Sequence, residues 1–135
     1  MKELIMYRCE VCGNLICMIE DSGIVPECCG APMEKIVANT EDADAEKHVP
    51  VFRRNGINVQ VLIGGRPHPM TTTHYIRFII LLTNKGIYMH RLDPSDVPET
   101  IFNIRLDEDV ICVYAWCNLH GLWKMCKSGT EAPAE

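Results

Sequence analysis

No stretch of this 135-residue chain approaches the roughly 18 consecutive apolar residues that cross a bilayer as a helix. The opening residues, Met1-Lys2-Glu3-Leu4-Ile5-Met6-Tyr7, carry no apolar run of export length, so the expected location is the cytoplasm, away from membranes. Basic runs are also missing and the net charge is −5, which argues against an extended nucleic-acid footprint. No internal repeat or low-complexity tract is present. No helical periodicity longer than two turns is found, so the chain must build its core from strands.

What the chain does hold is imidazole and thiol. Four of its five histidines and one cysteine fall in three short motifs: Glu46-Lys47-His48-Val49-Pro50, then the run from His68 to Ile76, then Cys117-Asn118-Leu119-His120-Gly121. Cys117 and His120 are spaced to share one turn around a metal, and His68 and His74 flank a loop entering a strand. Imidazole suits iron, copper, zinc and nickel, and one thiolate among several imidazoles gives strong electron donation to a redox metal. Taken singly, each of these histidines reads as an ordinary surface or core residue. Together they read as a metal site. His90 has no ligand spacing and reads as structural or surface.

A second set stands at the amino end, where Cys9-Glu10-Val11-Cys12 is followed by Cys28-Cys29-Gly30. Four thiolates close a tetrahedral sulfur cage around zinc or iron, and the spacing leaves both metals open. Two neighbouring cysteines must reach one metal from a strained dipeptide, which predicts a distorted site. Disulfide pairing among these four is disfavoured without a secretory signal. Cys17, Cys112 and Cys126 fall outside both sets and read as small core thiols. Strict alternation from Val110 would place Cys112 with Tyr114 and Trp116, opposite Cys117. Ala115, two residues before Cys117, offers the site no side-chain hydrogen bond, so tuning of the thiolate falls to backbone amides after it.

The segment through about Ile36 is too short to build much core, and independent folds below about 40 residues usually need a metal, disulfides or oligomerisation. Residues 38–45 are polar and acidic and read as a linker, and residues 127–135 read as a disordered tail. Between them lie short strands. Ile57, Val59, Val61 and Ile63 alternate with polar residues, His74 to Leu82 is apolar on both faces like a central strand, and Gly86–Leu92, Thr100–Leu106 and Val110–Trp116 follow between turn signals. Regular spacing of this kind predicts a β-sandwich over residues 46–126.

The segment Tyr7-Arg8-Cys9-Glu10-Val11-Cys12-Gly13-Asn14, with Cys28-Cys29, resembles desulforedoxin, and the histidine motifs resemble the catalytic domain of superoxide reductase. In this order they resemble desulfoferrodoxin, the two-iron class of superoxide reductase, over nearly the whole chain. The resemblance implies a four-cysteine iron module at residues 1–37 and a seven-stranded immunoglobulin-like sandwich at 46–126, usually dimeric. It implies two irons per chain: one on Cys9, Cys12, Cys28 and Cys29, and one on His48, His68, His74 and His120 with Cys117 as axial thiolate. The sixth position would meet superoxide, with Lys47 drawing in the anion and Glu46 closing the position once iron is ferric. One-electron reduction would yield hydrogen peroxide without oxygen, fed by rubredoxin or a similar small donor. The alternatives from residues alone are a non-catalytic iron electron carrier and a metal-stapled interaction module.

Overall fold

A computed structural model describes residues 3–40, 48–64 and 68–127, and the chain divides into two compact units, Glu3–Val37 and a second that begins at Ala38. No helix occurs among the described residues. Glu46 and Lys47, most of the expected linker and all but the first residue of the expected tail lie outside the described residues.

The smaller unit holds five very short strands. β1 (Met6–Arg8) pairs antiparallel with β2 (Leu15–Cys17) and with β5 (Glu34–Lys35), while β3 (Glu27–Cys28) pairs with β4 (Ala31–Pro32). Its buried core is Tyr7, Cys9 and Met33, with Ile5, Ile16, Met18 and Cys28 packed around it. One of those core side chains is itself a thiol of the sulfur set, so apolar burial and metal ligation draw on the same few residues. Cys17 is half-buried on β2, and burial pushes its thiol up.

Among the described residues, the larger unit has seven strands in two antiparallel sheets. β6 (Pro50–Asn55), β7 (Asn58–Ile63) and β10 (Glu99–Asn103) form one, in the order β10-β7-β6. β8 (Ile76–Thr83), β9 (Ile87–Arg91), β11 (Val110–Cys117) and β12 (Gly121–Cys126) form the other, in the order β12-β11-β8-β9. Period-two alternation places Val59, Val61 and Ile63 of one sheet in the same buried cluster as Ile79, Leu81 and Val113 of the other. Full burial of each such side chain contributes about 1.5–3 kcal/mol. Ile57 does not join them, because the chain turns at Gly56, whose φ of 64° suits glycine, and leaves Ile57 exposed. β8 is central, as its two-faced apolar run requires, and His90 on β9 is exposed.

Strict alternation fails along β11. Its register on β8 slips between Val110 and Cys112, so Val110 shares a core cluster with Val113, Ala115 and Cys117 and does not face away with Cys112. A single unpaired residue reverses the parity of everything before it. A second correction concerns two thiols. Cys112 and Cys126 are directly opposed partners in the β11–β12 ladder and are joined by a disulfide, so neither is an isolated core thiol.

At the turn end of β8, Glu108 is 1% exposed, and its carboxylate accepts hydrogen bonds from the hydroxyls of Thr83 and Tyr88 (2.6 Å) and from the Arg105 N–H (3.0 Å). The Arg54 guanidinium, reaching from β6, donates to the carbonyls of Gly56, Arg105, Leu106 and Glu108 and so ties β6 to the connection that leads from β10 to β11. Burial pushes the Glu108 carboxyl up, but the hydrogen bonds from Thr83, Tyr88 and Arg105, with the Arg105 charge, outweigh it and hold the group below its ordinary value. Because the folded state favours the ionised form, this contribution to stability is full above the ordinary glutamate value and is lost as pH falls through the folded one. Glu108→Gln should therefore cost about 1–3 kcal/mol at neutral pH. The gap between the two proteins should narrow as pH drops below about 4, read as the difference in calorimetric Tm across a pH series.

Candidate metal centres

The histidine-site residues come from connections and strand ends of the larger unit. His48 lies two residues before β6, His68 and His74 lie in the connection from β7 to β8, Cys117 ends β11, and His120 directly precedes β12. One ligand atom from each of the five falls within 4.8 Å of every other. His48 Nε2 is 3.1 Å from His120 Nδ1, and Cys117 Sγ is 3.6 Å from the same Nδ1. Metal–nitrogen bonds of about 2.1 Å place neighbouring ligand atoms about 3 Å apart and opposite ones about 4.2 Å apart, so this spacing fits a common metal. Five donors exceed the four of a closed tetrahedral zinc site and leave an octahedral metal one further position.

Local structure fixes each donor. The ladder register slips between Trp116 and Cys117, where Cys117 pairs with Ile76 and skips Arg77, and this bulge sets the direction of the sulfur. Gly121 follows the turn at φ 83°, a left-handed conformation that glycine adopts without cost. His68 Nδ1 lies 2.7 Å from the Pro69 carbonyl, which holds that nitrogen's proton and turns Nε2 to the site. His74 closes a tight turn with Thr71 through reciprocal backbone bonds of 2.9 and 3.2 Å. His48, His68 and Cys117 are buried, His74 is half-buried and His120 is exposed, so the site has a dry floor and an open side.

Two residues that the ligand motifs did not single out hold the parts together. Asn118 accepts from the Tyr75 N–H (2.9 Å), donates through Nδ2 to the Thr73 carbonyl (3.0 Å), and bonds through its own N–H to the Tyr75 carbonyl (3.2 Å). It thereby locks the loop carrying His74 to the turn carrying Cys117 and His120. Trp123 stacks on His48, with ring centroids 4.5 Å apart and planes 14° apart, and its indole N–H donates to the His120 carbonyl (3.2 Å). Asn39 forms a parallel bridge with Trp123, so the chain on both sides of residues 41–47 is held at this one tryptophan. Asn118 stands inside a ligand motif and Trp123 two residues past one, but spacing alone marks neither as a clamp. Asn118→Ala should weaken metal binding by about 10–100-fold. Asn118→Asp, which keeps the acceptor and loses the donor, should fall between, both measured by competition with a chelator.

The four-thiol set is equally compact. Cys9, Cys12, Cys28 and Cys29 bring their sulfurs within 4.8 Å of one another. The Cys12 N–H points at Cys9 Sγ (3.4 Å), and Asn14 Nδ2 donates to Cys28 Sγ (3.6 Å). Cys29 takes φ 54°, so the adjacent pair converges on one point by placing its second member in the left-handed region, at a cost of about 1–2 kcal/mol for a non-glycine residue. The Cys12 N–H, against the opposing effect of burial, brings the Cys9 thiol down to about 6. Cys29 is pushed up to about 12, first by its contact with Cys12. Thiols this close cannot all ionise together without a cation among them. This donor set fits a tetrahedral zinc or iron ion.

The family model for desulfoferrodoxin matches residues 40–126. A desulfoferrodoxin from Clostridium acetobutylicum is 40% identical over 122 residues, covering 90% of this chain and 95% of its own. A desulfoferrodoxin homolog from Methanothermobacter thermautotrophicus is 38% identical over 118 residues, covering 87% and 94%. The crystal structure of the superoxide reductase from Treponema pallidum superposes with a TM-score of 0.78 at 32% identity, covering 92% of this chain and 98% of that one. With its sandwich, its four-imidazole, one-thiolate cluster and its four-cysteine cluster, the chain belongs to the desulfoferrodoxin family.

Proposed function

We infer that this chain is a superoxide reductase, converting superoxide to hydrogen peroxide without releasing oxygen. The observation that carries this is the convergence of four imidazoles and one thiolate from three separate motifs, with one side of the cluster open through exposed His120. Each of the two clusters would hold iron, and iron at the histidine site would supply the one-electron redox chemistry that reduction of superoxide needs. Buried Cys117 gives that ion a strong donor. His48, His68, His74 and His120 hold it, Asn118 and Trp123 keep the holders in register, and the packed floor beneath Cys117 keeps water from that side.

We assign to Lys47 the attraction of the anion, and Glu46 would offer a carboxylate ligand to the oxidised ion. Local charge is needed because the whole chain carries −5 and would repel superoxide. Residues 1–37 form the four-cysteine electron-transfer or structural module, and 46–126 the catalytic domain. The electron donor is rubredoxin or a similar small carrier. The working form is a cytoplasmic homodimer serving the response to oxidative stress. No helix among the described residues is long and apolar enough to cross a membrane.

Mixing anaerobically reduced protein with a limited amount of superoxide, and measuring oxygen and peroxide together, tests the reading. Peroxide without oxygen is the expected result. Oxygen alongside peroxide would mean dismutation, and decay no faster than in buffer would leave an electron carrier or a structural metal protein.

A further inference from the structure

The Cys112–Cys126 bond belongs to neither metal centre, yet it lies on the same hairpin as Cys117 and His120. The ladder runs from Cys112↔Cys126 to Cys117↔Gly121, so the disulfide closes the open end of a hairpin whose turn carries two ligands of the histidine site. Among the described residues, β12 has β11 as its one strand neighbour and is bridged on its other side by Asn39 at Trp123. Beyond the pair the ladder continues, because the Lys127 N–H donates to the Ile111 carbonyl (2.9 Å). Backbone bonds on both sides therefore keep the two sulfurs adjacent whether or not the bond is made. Closing it is an intramolecular step between groups already in place, which removes most of its entropic cost.

We propose that Cys112 and Cys126 form a peroxide-reducing dithiol, a thiol site that consumes the product of the iron site and staples the iron-binding hairpin as it does so. Exposure divides the roles. Cys126 is half-buried and can meet peroxide, whereas Cys112 is fully buried and can meet Cys126 alone. The Cys126 sulfur attacks one peroxide oxygen and breaks the O–O bond, giving a sulfenic acid, and the departing hydroxide takes the thiol proton to become water. The Cys112 sulfur then attacks the sulfenic sulfur, the S–O bond breaks, and the hydroxyl leaves with the Cys112 proton as a second water. Two thiols become one disulfide and one peroxide becomes two waters, a balanced two-electron step. A reduced dithiol protein returns the pair to its starting state by thiol–disulfide exchange.

The inference takes its oxidant from the reaction proposed above, but its test does not depend on that reaction, because reagent hydrogen peroxide replaces superoxide. The iron-loaded full chain is reduced, freed of reductant without air, exposed to peroxide, quenched with N-ethylmaleimide and analysed by peptide mass spectrometry. The linked Cys112–Cys126 peptide should accumulate at least about tenfold faster than in the peroxide-free control, before Cys9, Cys12, Cys28, Cys29 or Cys117 is lost. In Cys112→Ser the sulfenic acid should persist on Cys126 and be trapped by dimedone, and Cys126→Ser should yield no adduct at Cys112. Equal rates with and without peroxide, prior oxidation of the metal-site cysteines, or a dimedone adduct on Cys112 would overturn the proposal. The titration of the unsubstituted protein stands alone should either variant fail to fold.

Discussion

Replacing Cys117 with serine should lower the rate of superoxide reduction by at least about 100-fold, beyond the 10–100-fold that outer ligand supports cost. The reason is electronic more than structural. Serine is close to cysteine in shape, and Cys117 sits in a fully buried position that a hydroxyl can occupy with modest rearrangement. What would be lost is the single soft thiolate donor among four imidazoles, and with it the electron density that a metal held there would need to reduce an anion. The variant should keep the sandwich, because Ile76 and Gly121 still pair with the same backbone. The check is rapid mixing with superoxide alongside circular dichroism and a metal assay. Near-normal rates with iron bound would show that imidazoles alone suffice, and the role given to the thiolate would be wrong.

A second large effect is expected at the other end of the chain. The double substitution of Cys12→Ala and Cys29→Ala should unfold Glu3–Val37 while the sandwich stays folded. That unit buries four side chains, Met6, Tyr7, Met33 and the candidate ligand Cys9, and its strands are two or three residues long. So little burial cannot offset the entropy of ordering the segment, whereas structural metal in small modules contributes about 10–16 kcal/mol. Cys12 and Cys29 are both exposed, so removing them costs little packing and isolates the loss of metal. Amide resonances from residues 3–37 should collapse to unfolded positions while those of β6–β12 stay dispersed. A folded, metal-free smaller unit would contradict the account of what holds it together.

Much of the molecule could be read from its residues, for reasons that differ from place to place. The two clusters of candidate donors were legible because metal chemistry restricts both residue type and spacing, as in Cys117 to His120 or Cys9 to Cys12. The central strand was legible because β8 must be apolar on both faces. β12 was not, since Gly121–Cys126 shares its start with the ligand turn. The Cys112–Cys126 bond was hidden because it depends on the register between two strands, which no single strand encodes. Asn118 and Trp123 were hidden for a related reason: their partners are carbonyls, amides and a ring that come together only once the loops are folded. The slip near Ile111 shows how one unpaired residue defeats an alternation rule that holds on either side of it.

The skipped residue Arg77 gives the chain a particular vulnerability. Its side chain is exposed and lies over the Tyr75 ring, so many other side chains could stand there with little consequence. Its backbone, however, supplies the extra step that lets Ile76 meet Cys117. Deleting it would draw His74 forward by one position and turn it to the other side of the sheet. At this place the chain is indifferent to spelling and strict about length, so family members that vary freely in the letter should all preserve the count.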